Sequence, residues 1–245
     1  MKPLKSDVRL DAILGVLDCE SLCDIGADHG KLPALAVIRG AAKRAIAADI
    51  SAPSLKKAEK LAAALGLSDK IETRLSDGFE SIDFDEADVF VIAGMGGYNI
   101  ISILGKKPPP RGKRLVLVPH RNAPELRAFL ILNGYLITSD AAVLDGQRLY
   151  DIISAVAGSG AAQTGKIGAD GGNIGEEELY LLFGKGNFDR KNDDFYIMLK
   201  KKAGEFDKIL KTVYNIGCAK KKAAYDAALL LYRKRREYDD NGQNS

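Results

Sequence analysis

The chain is poor in the residues that build metal centres and disulfide frameworks, and it has no long apolar run. It contains two histidines, His29 and His120, and three cysteines, Cys19, Cys23 and Cys218. Three cysteines cannot make a disulfide framework, and Cys19 and Cys23 with two scattered histidines form a poor zinc set. No metal is expected, and the thiols are read as reduced and partly buried. No segment approaches the ~18–20 apolar residues that span a bilayer. The opening MKPLKSDVRLDAIL mixes charge with apolar residues instead of forming a signal core, so a cytoplasmic protein is expected.

The 245 residues are 46% hydrophobic and 28% charged, enough to bury a sizeable core. The net charge of +3 is unevenly spread. Residues 185–236 carry 15 Lys/Arg against 6 Asp/Glu, while residues 1–184 and the last nine residues each carry a net −3. A basic C-terminal arm on a slightly acidic body suits a polyanionic partner, and Lys-rich helices that serve only solubility are an equal alternative.

Hydrophobic patterning alternates strand and helix signals. Residues 6–18 place Val8, Leu10, Ile13, Leu14 and Leu17 on one helical face, with Ser6 as candidate N-cap. SLCDIGAD, AIAADI, IETRLSDG, ADVFVIAGMGG and RLVLVPH read as strands, and LPALAVIRG, SAPSLKKAEKLAAALG and residues 123–133 as helices. Runs such as VFVIAG and LVLV, without polar alternation, suit parallel strands buried on both faces. Two later strand-like runs flank Leu144-Asp145-Gly146-Gln147, an antiparallel hairpin signal. Residues 158–175 hold seven glycines and read as a linker. Beyond it, apolar residues from Phe195 to Val213 and from Ala223 to Tyr232 predict two helices joined by a turn at Asn215-Ile216-Gly217. The fold class is thus α/β: a Rossmann-like methyltransferase fold with an antiparallel terminal strand, plus a C-terminal α-helical hairpin. The division is a first domain over 1–160 and a helical domain over 176–240.

Four segments at successive strand ends carry the chemistry. In Asp24-Ile25-Gly26-Ala27-Asp28-His29-Gly30 the first strand breaks into a helix, where glycine lets a ligand approach the backbone. Asp24 and Asp28 disfavour a diphosphate and favour the cationic amino-acid end of a sulfonium cofactor. Only Gly26 and Gly30 are present, short of the G-x-G-x-x-G of a dinucleotide site. Asp49, 25 residues after Asp24, stands where a carboxylate takes ribose hydroxyls, or where it caps the next helix. Asp77-Gly78 can accept from an adenine amino group or be simply a turn. Ala93-Gly94-Met95 offers small residues beside which a flat base can slide. His29 can move a proton, although a turn histidine more often bonds the backbone. His120, Arg121 and Asn122 beyond another strand end can contact phosphate or base. Alternatives are an NAD-dependent oxidoreductase and an inactive Rossmann-like RNA-binding protein.

Together DIGADHGKLP, AIAADI, LSDGF, VIAGMGG, ELRAFLILNGYLI and LYDIISA resemble the bacterial tRNA (adenine(22)-N1)-methyltransferase family over residues 4–158. The resemblance implies S-adenosyl-L-methionine as methyl donor, tRNA as partner, N1 of adenine as acceptor and a C-terminal helical domain that helps hold tRNA. No protein partner is implied. Asp24, Gly26, Asp28, Asp49, Ile50, Asp77, Gly78, Ala93 and Gly94 fall in the cofactor segments, and Asp28, His29 and Met95 at the reacting centre. Phosphate-gripping residues are expected at Lys200–Lys202, Lys220–Lys222 and Arg233–Arg236, with Lys200, Lys201, Lys220 and Lys221 foremost. Members often carry Gln-Pro-Asn where this chain has Val118-Pro119-His120, and Glu where it has Asp140.

Overall fold

A computed structural model describes residues 4–146, 148–158, 174–189, 192–212 and 216–242. Most of the glycine-rich stretch (159–173), Gln147 of the hairpin turn, and Val213 and Asn215 at the second expected turn lie outside the described residues.

The first helix is α1 (Val8–Gly15). Its N-cap is Asp7 and not Ser6: the Asp7 carboxylate accepts from the Leu10 N–H at 2.8 Å, a stronger cap than a hydroxyl one residue too early. Leu10, Ile13 and Leu14 are buried, but Val8 is 47% exposed, because the buried stripe runs along a different arc of this short helix. Then follow β1 (Cys19–Ile25), α2 (Lys31–Ile38), β2 (Ala42–Asp49), α3 (Ala52–Ala64), β3 (Ile71–Leu75), β4 (Val89–Met95), α4 (Gly97–Lys106), β5 (Arg114–Pro119), α5 (Ala123–Leu132), β6 (Leu136–Asp145) and β7 (Arg148–Val156). Ser51 caps α3 through its hydroxyl, with Pro53 in the first turn.

The strands form one seven-stranded sheet in the order β3-β2-β1-β4-β5-β7-β6. β1 to β5 pair in parallel, and β7 runs antiparallel to β5. The buried runs of β1, β4 and β5 follow from helices covering both faces. Phe79, Phe84 and Phe90 meet at 5.1–5.6 Å between ring centroids inside this core. The order reverses between β1 and β4, so the chain leaves these strands in opposite directions and opens a crevice at their C-terminal ends.

The chain divides into two compact units, residues 1–139 with 150–164, and residues 140–149 with 165–245. A cut at residue 160 keeps the whole β6–β7 hairpin with the sheet; the packing groups its tip with the helices. The second unit contains α6 (Glu176–Phe183), α7 (Lys185–Asp189), α8 (Asp193–Thr212) and α9 (Ile216–Gly242) around Leu179, Phe188, Phe195, Leu199, Ala228 and Tyr232. Ile216 and Gly217, expected in a turn, already belong to α9. Fully buried Asn187 explains why the hairpin tip joins this unit. Its side chain accepts from the Ala142 N–H at 2.7 Å and donates to the Phe183 carbonyl at 2.7 Å, so the polar atoms of a buried amide are satisfied. No described helix is long and apolar enough to cross a membrane.

Candidate active site

The crevice holds a cleft of about 430 Å³, within the ~300–1,000 Å³ range of small-molecule sites. The ends of four neighbouring strands line it: Ile25 and Gly26 after β1, Asp49 and Ile50 after β2, Asp77 and Gly78 after β3, and Ala93, Gly94 and Met95 at the end of β4. The strand ends singled out in the sequence therefore face one space, and α4 adds Asn99, Ser102 and Lys106.

Gly26 has φ +76°, and a Cβ there would stand 2.2 Å from the Met95 Cε. Its backbone is thus left-handed, with the Met95 methyl in the space a side chain would take, and it lines the cleft. Gly30 does different work: a Cβ there would meet the Ala58 Cβ at 2.7 Å, so this glycine packs α2 against α3. Gly94 coincides with a register shift between β4 and β5, a bulge that turns Met95 toward the cleft.

The carboxylates differ in setting. Asp24 is 4% exposed, and no hydrogen bond or ion pair from the described residues reaches its carboxylate. Burial, and secondarily the charge of Asp49, push its pKa up from 3.8 to about 7, against a partial offset from Arg9. Asp49 is held in place, accepting from the Asp28 N–H at 2.9 Å and the Ser51 N–H at 2.8 Å. It therefore does not cap α3, and its remaining lone pairs can take hydroxyl protons. Asp77 accepts from Lys106 Nζ at 2.9 Å, a pairing that its position in a turn did not reveal. Ile50, 69% exposed, is an apolar side chain on the cleft wall that a flat ring can cover.

Asp28 and His29 are not among the lining residues; Asp28 sits at φ +48°, and its carboxylate lies 3.3 Å from the Ser54 hydroxyl and 3.4 Å from His29 Nε2. His29 Nε2 also lies 2.9 Å from Lys57 Nζ, so with the lysine donating, the imidazole proton sits on Nδ1. Exposed His120 has Nδ1 3.1 Å from the Gly94 carbonyl; with that proton committed, Nε2 is an acceptor. Exposed Arg121 lies against Gly96, its Nε 3.0 Å from where a Cβ would be. Asn122, at φ +60°, precedes α5 and turns its amide toward Glu125 at 3.4 Å.

In the helical unit, Lys200, Lys201, Lys220 and Lys221 are placed on α8 and α9, and all four are exposed. Lys202 pairs with Glu205, Lys222 with Asp207 and Asp226, Arg235 with Asp189 and Glu176, and Arg236 with Asp193. These four cations, expected as phosphate grips, are thus engaged within their own unit. Asn99, Ser102 and Lys106 are the cleft residues that sequence reasoning missed, because helix α4 starts without a side-chain cap and no local signal announces it. Among the described residues no group of three His, Cys, Asp or Glu side chains could hold a metal ion.

The cleft fits an adenosyl cofactor on two observations of its lining, the left-handed Gly26 and the immobilised Asp49; Asp24, buried one residue before Ile25, receives no hydrogen bond from the described residues. Comparison with known proteins agrees. The Methyltransferase domain family matches residues 6–153. The tRNA (adenine(22)-N(1))-methyltransferase of Bacillus subtilis is 34% identical over 161 residues, covering 64% of this chain and 68% of that one. The crystal structure of the B. subtilis m1A22 tRNA methyltransferase TrmK superposes with a TM-score of 0.72 at 26% identity, over 95% of this chain and 99% of that one. A Streptococcus pneumoniae candidate tRNA (m1A22) methyltransferase, solved with S-adenosyl-L-methionine, gives 0.72 at 27% identity, over 90% and 98%. With one family matched through the catalytic unit and one relative matched over two thirds of its length, the chain belongs to the tRNA (adenine(22)-N1)-methyltransferase family.

Proposed function

We propose that this chain methylates N1 of adenine 22 in tRNA, with S-adenosylmethionine as donor. The observation that carries the donor assignment is the cleft at the strand ends, where the left-handed Gly26 and the fixed carboxylate of Asp49 line one wall and Asp77 another. The acceptor rests on family membership.

When bound, S-adenosylmethionine supplies a methyl group on a sulfonium sulfur, and the adenine N1 lone pair takes it as the positive charge passes from sulfur to base. No proton has to leave for that bond to form. The chain's contribution is therefore positioning, which is worth several orders of magnitude when reacting atoms are held in line. Asp49 holds the ribose hydroxyls, Asp77 the adenine amino group, and Asp24 the ammonium. Met95, turned in by the bulge at Gly94, packs beside the transfer point. Asp28 orients the incoming base by accepting from its amino group, and His29 beside it can offer only its Nδ1–H, to an acceptor on the base. His120 Nε2, as an acceptor, offers a second hold on that amino group. N1 of a paired adenine faces its partner, so the nucleotide is extruded to reach this pocket.

The basic face of α8 and α9 serves the same reading, Lys200, Lys201, Lys220 and Lys221 gripping phosphates while the sheet unit holds donor and base. A tRNA substrate goes with a cytoplasmic location. Incubation with labelled S-adenosylmethionine and unmodified tRNA, followed by nucleoside analysis, tests the proposal. Labelled 1-methyladenosine is the expected product. Tight tRNA binding without transfer would instead favour an inactive RNA-binding protein.

A further inference from the structure

Among the described residues Tyr98 is the one exposed Phe or Tyr, with 59% of its surface open to solvent. An aromatic ring left in water gives up the burial that fixes every other such ring here, so its position calls for a reason. Tyr98 is the second residue of α4, three residues after Met95 and next to Asn99, both of which line the cleft. Its hydroxyl donates across to α5, reaching Glu125 Oε1 at 3.4 Å, the same oxygen that the Asn122 amide approaches at 3.4 Å. The tip of the side chain is thereby anchored while the ring stays open. Two glycines form the floor beside it. A Cβ at Gly97 would fall 2.2 Å from the Asn122 carbonyl oxygen, and one at Gly96 would fall 3.0 Å from Arg121 Nε. The Gly97 N–H donates to the Arg121 carbonyl at 2.8 Å. The start of α4 is therefore pressed against the turn after β5, with the Arg121 guanidinium over Gly96. Arg121 is exposed, and among the described residues no carboxylate pairs with it.

An open aromatic ring and an unpaired guanidinium beside a floor of bare backbone match one nucleotide, with a π face for its base and a planar cation for its phosphate. His120, whose Nδ1 lies 3.1 Å from the Gly94 carbonyl, ties the turn that carries Arg121 to the rim of the cleft at Met95. We infer that Tyr98 stacks on the adenine extruded from the tRNA while Arg121 holds its phosphate, so that N1 is presented to the donor. The inference rests on the acceptor assignment above and deepens it. Extrusion deprives the adenine of its stacking neighbours in the RNA, and the Tyr98 ring replaces one of them. Phenylalanine keeps that π face, whereas leucine has bulk without it.

The experiment is tRNA binding to the full chain in the presence of S-adenosylhomocysteine, with two transcripts, one carrying adenine at position 22 and the other abasic there. Tyr98→Leu is expected to weaken binding of the first about 10- to 100-fold, the worth of one base–aromatic stack, and to leave the second within about twofold of wild type. Tyr98→Phe retains wild-type affinity for both. Arg121→Gln weakens both alike and lowers the salt dependence of log Kd by about one. Neither Tyr98 nor Arg121 lines the cleft, so S-adenosylhomocysteine affinity stays unchanged in all three variants. Equal loss on both transcripts in Tyr98→Leu overturns the stacking and leaves Tyr98 as an outer contact. No loss on either overturns it as well, and so does a fall in S-adenosylhomocysteine affinity, which marks a structural role. An unchanged salt slope in Arg121→Gln overturns the phosphate contact. Wild type that transfers no methyl group to the adenine transcript refutes the acceptor assignment itself.

Discussion

Replacing Asp24 by asparagine should stabilise the cofactor-free protein at pH 8 and not at pH 4. Asp24 lies 4% exposed in β1 with no donor among the described residues on its carboxylate, and burial raises its pKa from 3.8 to about 7. Between those values the folded chain holds a proton that the unfolded chain has released. The stability from this protonated site is therefore complete below pH 4 and lost as the pH climbs through about 7. At ~1.4 kcal/mol per pH unit, the gap is worth about 4 kcal/mol as an upper bound. Asparagine imitates the protonated form at every pH. Allowing for its own need for partners, we expect a gain of about 2–3 kcal/mol at pH 8, or about 5–10 °C in the melting of the sheet unit. The assay is a thermal melt of wild type and Asp24→Asn from pH 4 to pH 8 without cofactor. The difference in Tm should start near zero and widen with pH, while S-adenosylhomocysteine affinity at pH 8 falls at least tenfold. A pH-independent difference, or a variant less stable at pH 8, would refute the argument that the site is held charged for a ligand at the expense of stability.

Gly26→Ala forces an L side chain into φ +76° and displaces the Met95 methyl 2.2 Å away; a loss of about 1–2 kcal/mol in denaturant melts and a more than tenfold loss in S-adenosylhomocysteine titration are expected. Lys201→Ala with Lys221→Ala should weaken tRNA binding and lower the salt dependence of log Kd by about one for each phosphate no longer neutralised, whereas Lys222→Ala, whose partner carboxylates are Asp207 and Asp226, should leave that slope nearly unchanged. Asn187→Ala strips the Ala142 N–H and the Phe183 carbonyl of their buried amide partner and should cost the helical unit about 2–4 kcal/mol in urea denaturation, with S-adenosylhomocysteine affinity retained.

The parallel sheet was legible because its strands are uninterrupted apolar runs, and the donor cleft because strand-end glycines and carboxylates recur at βα-unit spacing. Helix α4 was not foreseen. It starts at Gly96 and Gly97 without a side-chain cap, and its glycine is there for close approach, a Cβ at Gly97 falling 2.2 Å from the Asn122 carbonyl oxygen. Nothing local announces such an approach. The basic arm divides in the same way. Lys202 with Glu205 and Lys222 with Asp226 are pairs at helical spacing that a sequence can suggest. Arg235 finds Asp189 and Glu176 only through the packing of α6, α7 and α9. Arg9 is the furthest case, since its neighbours Gly94 and Tyr150 are both remote from it along the chain.

The most direct test of the central claim compares two tRNA transcripts that differ only at position 22, adenine in one and guanine in the other, each incubated with labelled S-adenosylmethionine and digested to nucleosides. The account predicts 1-methyladenosine from the first and no label in the second. Equal labelling of both, or label in a nucleoside other than 1-methyladenosine, would contradict it.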